Sequence, residues 1–163
     1  MTGEDEVESV IATSMDERDI ERLLRWPHTN LCTDGSLFGS HPRGFGTYPR
    51  VLGRYVRERG VLDLAAAVHK ASGLAAAHMG IRDRGTVARG KRADLVLFDP
   101  ETVLDRATPE RPHDPSVGIR RVWVNGEVVY QDGRVTGRRP GRAIRRSEPV
   151  EETWQAAAPA SGI

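Results

Sequence analysis

A helical first half followed by a β-rich second half, an α/β plus β arrangement, is the fold class this sequence predicts. Three observations predict it. Apolar residues recur at helical spacing between residues 20 and 79, the dipeptide Asn125-Gly126 separates two apolar runs further on, and Gly or Pro punctuates nearly every junction.

The elements follow in order. Residues 6–12 are apolar toward their end and suit a strand or a loop. Ser14, with Asp16 and Glu17 behind it, opens a helix over residues 15–25, because acidic groups in a first turn complement the helix dipole. Ile20, Leu23 and Leu24 form its apolar stripe, and Pro27 ends it. A short strand over residues 30–34 is closed by Gly35, and a long loop rich in Gly and Pro covers residues 36–49. Helices are expected over residues 51–59, 62–72 and 75–79, stopped by Gly60, Gly73 and Gly80 respectively. Strand character begins at Thr86, with an apolar run at residues 93–100. Residues 119–124 and 127–130 flank Asn125-Gly126, the dipeptide that best supplies the two positive φ angles of a type I′ hairpin turn. Asp132-Gly133 turns the chain again into a short strand at residues 134–136. Residues 138–163 are Arg-rich, then Ala/Pro/Ser-rich, and are expected to lack fixed structure.

Composition excludes several classes. With 24 basic and 23 acidic residues the net charge is +1, which gives no electrostatic footprint for nucleic acid or an anionic membrane. The basic cluster Arg138, Arg139, Arg142, Arg145 and Arg146 has no interleaved aromatic residues on which bases would stack. The single cysteine, Cys32, permits no internal disulfide, and we expect it to fill a small core position. The acidic first eight residues do not suit a signal peptide, and no apolar run approaches the roughly 18 residues of a membrane span. A cytoplasmic setting is the expectation.

Three blocks carry a family resemblance. The first is Thr33-Asp34-Gly35 followed by His41-Pro42-Arg43-Gly44-Phe45-Gly46-Thr47-Tyr48-Pro49-Arg50-Val51-Leu52-Gly53. The second runs from Gly73 through Asp83-Arg84-Gly85 to Gly90-Lys91-Arg92-Ala93-Asp94-Leu95-Val96-Leu97-Phe98-Asp99, and the third is Val122-Trp123-Val124-Asn125-Gly126-Glu127-Val128-Val129. Together these resemble the C-terminal portion of the N-acyl-D-amino-acid deacylase (D-aminoacylase) branch of the amidohydrolase superfamily. Ala75 stands where that pattern has a proline.

The resemblance implies the last strand and helices of a (β/α)8 metal-dependent hydrolase barrel, followed by part of a small β-sandwich in a composite domain. On that basis residues 1–82 are barrel, 83–137 are the C-terminal share of the sandwich, and 138–163 are a tail. Asp34, at the end of the eighth barrel strand, would lie at the C-terminal mouth where such barrels place their chemistry. There a carboxylate can approach zinc and accept the proton of metal-bound water, the role the family gives the equivalent aspartate. Against this, an Asp-Gly pair by itself only closes a strand.

His41, Arg43 and Arg50 follow on the loop. Either arginine could clamp a substrate carboxylate through a bidentate pair or tie the loop to backbone carbonyls. Tyr48 is expected to pack. Asp94 and Asn125-Gly126 are expected to be structural, and His69 and His78 to be surface residues.

The resemblance further implies zinc as cofactor of a complete enzyme and an N-acyl amino acid as its small-molecule substrate. This chain lacks a His-x-His pair and most of the roughly 200 residues a barrel needs, so it should hold no metal stably and be inactive alone. Its expected partner is an N-terminal barrel chain or a second copy of itself. Leu52, Val56, Leu62, Leu64 and Val68 would otherwise lack a surface to bury against. Two other assignments compete: a non-catalytic interaction or assembly module, and part of a dihydroorotase- or hydantoinase-like enzyme.

Overall fold

The computed structural model describes residues 14–36 and 39–144. The strand or loop expected at residues 6–12 and the tail beyond residue 144 lie outside the described residues.

Helix α1 spans Glu17–Arg25, two residues later than expected, because the carboxylate of Asp16, not the Ser14 hydroxyl, caps it by accepting the Arg18 N–H. Its buried residue is Leu24. Residues 29–36 then run without regular structure, so the expected strand at 30–34 does not form among the described residues. Among the described residues no strand lies beside this segment to supply ladder hydrogen bonds, and an isolated strand has nothing to pair with.

The expected loop at 36–49 is corrected next. Helix α2 begins at Arg43 and runs to Arg50, and the helix continues over Val51–Glu58 in a wider π form. Pro49 lies inside α2 and lacks the N–H that would reach the Phe45 carbonyl four residues back. That carbonyl instead accepts the Ser116 hydroxyl at 3.2 Å. The π segment is closed by the Arg59 N–H on the Arg54 carbonyl at 2.9 Å, and Gly60 leaves the helix with φ 58°.

Helix α3 spans Leu64–Ala71, capped by Asp63, whose carboxylate accepts the Ala66 N–H at 2.7 Å. Helix α4 spans Gly73–His78. The helical core comprises Leu24, Val51, Tyr55, Val61 and Ala67, with Ile20, Leu31, Leu52, Val56 and Leu62 packed against it. Glu17 joins α1 to the π segment by pairing with Arg59 at 3.1 Å and Arg54 at 3.4 Å. Leu64 and Val68 remain exposed.

Strand character starts later than Thr86. An antiparallel meander comprises β1 Leu95–Phe98, β2 Ile119–Val124, β3 Glu127–Gln131 and β4 Arg134–Val135, in that spatial order. Asn125 and Gly126 have φ 48° and 84°, and Asp132 and Gly133 have 47° and 85°, so two turns of the expected kind build the sheet. No residue of the four strands is fully buried. Residues 138–144 have no regular structure.

One helix face joins the two halves. Gly46, Arg50, Gly53 and Arg57 recur at about one-turn intervals and face the segment between β1 and β2. A Cβ on Gly53 would lie 2.7 Å from the Val103 carbonyl oxygen, so only glycine allows this approach. Arg57 donates to the carbonyls of Pro100 at 3.0 Å and Val103 at 2.7 Å, and Val103 is fully buried.

Candidate active site

Asp34 ends the irregular segment with φ 44°, a left-handed conformation that aspartate tolerates better than most residues. Its carboxylate is largely exposed, at 78% of full accessibility, and pairs with Arg43 Nη2 at 2.9 Å. Arg43 Nε donates to the backbone carbonyl of the same Asp34 at 2.9 Å. One guanidinium therefore grips both the side chain and the main chain of the candidate acid. The approach depends on small residues. A Cβ on Gly35 would lie 2.5 Å from the Gly44 Cα, so the turn after Asp34 nests against the start of α2 only because residue 35 is glycine.

His41 is engaged through a ring nitrogen. Its Nδ1 accepts the Arg43 N–H at 3.1 Å and so caps the turn entering α2. Arg50 is committed elsewhere: its Nε and Nη2 donate to Asp105 Oδ2 at 2.9 and 2.7 Å, and the Asp105 side chain is only 8% exposed. Of the four residues expected in a site, the structure therefore brings together the side chains of Asp34 and Arg43, while His41 reaches the Arg43 backbone. Arg50 lies on the junction with the β-rich half.

The chain leading to Asp34 is held from two sides. Leu31 packs on the helical core, its N–H reaches the Lys70 carbonyl at 3.4 Å, and its own carbonyl accepts the Tyr48 hydroxyl at 3.2 Å. Burial, then the neighbouring Cys32, push the Tyr48 phenol above its usual range, which keeps it a donor. Cys32 itself is exposed, contrary to the core position expected for it, because Leu31 takes the inward direction.

The Phe45 carbonyl accepts from Ser116, and His113 Nε2 lies 3.0 Å from the Gly39 carbonyl, so the β1–β2 connection also holds the loop around the site. The tyrosine, lysine and Asp105 contacts escaped sequence reasoning. One feature pointed to the lysine: it stands in a chain whose basic residues are otherwise almost all arginine.

Asp94 is structural, as expected. Burial works to raise its pKa, but the Asn125 N–H at 2.7 Å and the Arg84 guanidinium outweigh it and hold the carboxyl below its usual range. Asn125 continues the network, accepting Arg84 Nη2 at 2.9 Å and donating to the Pro140 carbonyl at 2.7 Å. His69 and His78 are exposed on α3 and α4.

No three His, Cys, Asp or Glu side chains converge on a common point among the described residues. The donors present do not fit a complete metal centre, since Asp34 stands alone and its carboxylate is held by a cation. Among the described residues no helix is long and apolar enough to cross a membrane.

Comparison with known proteins identifies relatives of the chain. The amidohydrolase family profile matches residues 18–130. The chain is 42% identical over 143 residues to N-acyl-D-aspartate deacylase of Alcaligenes xylosoxydans xylosoxydans, covering 86% of this chain and 29% of that protein. A D-aminoacylase structure concerned with a binuclear metal centre superposes with TM-score 0.74 at 47% identity, over 76% of this chain and 27% of the other. N-acyl-D-glutamate deacylase from Bordetella bronchiseptica, solved with zinc and a phosphonate mimic of the tetrahedral intermediate, gives TM-score 0.70 at 42% identity, over 74% and 26%. The chain thus spans less than a third of each relative. With the family profile matched over most of its length, the chain belongs to the amidohydrolase family.

Proposed function

We propose that this chain is the C-terminal part of a zinc-dependent amidohydrolase that hydrolyses the amide bond of N-acyl-D-amino acids, and that it acts only together with the remainder of the barrel. The observation that carries this reading is the Asp34–Arg43 pair at the end of the segment leading from the helical core, in a chain 42% identical to an N-acyl-D-aspartate deacylase. Residues 14–82 supply the end of the barrel with Asp34, and residues 83–137 the sandwich share that braces the site loop. Asp34 is the single metal-approaching and proton-accepting group the chain contributes, and the other ligands come from the missing part. His41 fixes the turn that presents Arg43. Arg43 is exposed and is the group suited to a substrate carboxylate, which would take over the Nε and Nη2 donors now on Asp34. Arg50 ties the site loop to Asp105 instead.

The lack of any buried strand residue supports the dependence on a complement, because a sheet of this kind needs a second layer on its apolar side. The test is zinc-dependent release of free amino acid from an N-acyl-D-amino acid by the chain, with and without a polypeptide supplying the N-terminal barrel. Activity only in the mixture, reduced about 100-fold or more by Asp34→Ala, is expected. Activity of the chain alone would overturn the reading, and so would an active mixture that is indifferent to Asp34→Ala.

A further inference from the structure

Lys70 is the buried charged residue of the described chain, only 4% exposed, and the catalytic reading gives it no role. It lies in the last turn of α3. Its Nζ donates to the Trp26 carbonyl at 2.5 Å and lies 3.4 Å from the Thr29 carbonyl, and its own carbonyl accepts the Leu31 N–H at 3.4 Å. These described partners are all backbone groups of one segment, the stretch that leaves α1 and leads to Asp34.

Burying an ammonium is costly, and burial indeed pulls this one below the usual lysine range. Such a cost is tolerated where the charge satisfies carbonyls that would otherwise be buried without donors. Trp26 follows the end of α1, where orphan carbonyls collect and a cation is favoured. Composition agrees. Arginine supplies nearly every positive charge in this chain, yet lysine stands at 70. A compact ammonium on a flexible stem can meet two carbonyls in a confined space where a planar guanidinium does not fit.

We infer that Lys70 is a positioning residue for Asp34: its ammonium and its carbonyl clamp residues 26–31 onto α3, and with Tyr48 on the Leu31 carbonyl they set the path along which Asp34 is delivered. The inference rests on the proposed catalytic role of Asp34. The clamp substitutes for the strand ladder that residues 29–34 do not make among the described residues.

The experiment compares wild type, Lys70→Met and Lys70→Gln in two measurements. In the 163-residue chain, amide hydrogen exchange should show the Leu31 N–H losing protection roughly tenfold or more in Lys70→Met, with the amides of Tyr55 and Ala67 little changed, and partial recovery in Lys70→Gln, which keeps two donors. In the mixture with the N-terminal barrel polypeptide, kcat should fall by about 100-fold while KM stays nearly constant, since a misplacement of about 1 Å costs that much. Unchanged Leu31 exchange in Lys70→Met would overturn the inference. Equal loss of protection throughout the helices would also overturn it, by making Lys70 a general stabiliser. If the wild-type mixture proves inactive, the catalytic reading fails, and the exchange measurement still decides whether Lys70 clamps the segment.

Discussion

Asp34 and Arg43 make an exposed ion pair, and such pairs contribute at most about 1 kcal/mol to stability. Their weight is therefore in geometry. Arg43→Ala should leave the melting temperature of the chain within a few degrees of wild type, while raising KM for an N-acyl-D-amino acid in the reconstituted mixture by roughly tenfold to 100-fold. A change confined to kcat would reassign Arg43 from substrate to Asp34 alone.

Asp94 predicts a pH dependence. Its folded pKa lies below the ordinary 3.8, so its contribution is complete above that value and is lost as pH falls through the lower folded value. Acid titration should loosen the Asn125-Gly126 hairpin in that window, followed through the Asn125 amide signal, and Asp94→Asn should abolish that step. Sequence alone identified Asp94 as structural because it follows the Gly90-Lys91-Arg92-Ala93 turn. It did not disclose Arg84, which pairs with Asp94 across the intervening loop of residues 85–93.

At the scale of elements, the junction between the long helix and the β1–β2 connection decides how the site loop is held. Pro49 leaves the Phe45 carbonyl without its helical donor, and Ser116 supplies one from the other half of the chain. Ser116→Ala should cost about 1 kcal/mol. Pro49→Ala in that background should regain part of it, because residue 49 then offers its own N–H. A chemical-denaturation double-mutant cycle measures the coupling, and strict additivity would refute the account.

Gly118, with φ 78°, brings the start of β2 against the Val103 backbone, and a Cβ there would collide with the Val103 N and Cα. Gly118→Ala should therefore destabilise the chain by at least about 2 kcal/mol, read from denaturant midpoints. Helix periodicity and the two hairpin dipeptides made α1, α3, β2 and β3 legible to within a few residues. Helix α2 was missed because Gly44, Gly46 and Pro49 have low intrinsic helix propensity. Gly46 is there for the approach of Asp105 and Ala107, and Gly44 for that of Gly35, a tertiary reason that local propensity does not carry.

For the whole molecule, the sheet leaves Val96, Leu97 and Val135 exposed at 55%, 49% and 81%, and the helices leave Leu64 and Val68 uncovered. Five such residues on a chain of 18.0 kDa predict association when it is isolated. In size-exclusion chromatography the chain alone should elute above its monomer mass. Mixing with the N-terminal barrel polypeptide should replace those species with a single complex. A well-behaved monomer with no tendency to bind that polypeptide would argue for a self-sufficient module.

The sequence by itself determined the order of helices before strands, the type I′ turn at Asn125-Gly126 and a further turn at Asp132-Gly133, the membership suggested by the blocks from residue 33 to residue 129, and the candidacy of Asp34. These are local patterns, carried by periodicity, by residues that tolerate positive φ, and by contiguous motifs. Only the tertiary structure decided that residues 29–36 run without a partner strand among the described residues, that Arg50 belongs to Asp105 while Arg43 belongs to Asp34, and that a buried lysine donates to the Trp26 carbonyl. Each of those depends on groups separated by 9 to 55 residues. Which arginine meets which carboxylate is settled by how helices and loops pack, and side-chain chemistry alone leaves those pairings equally open.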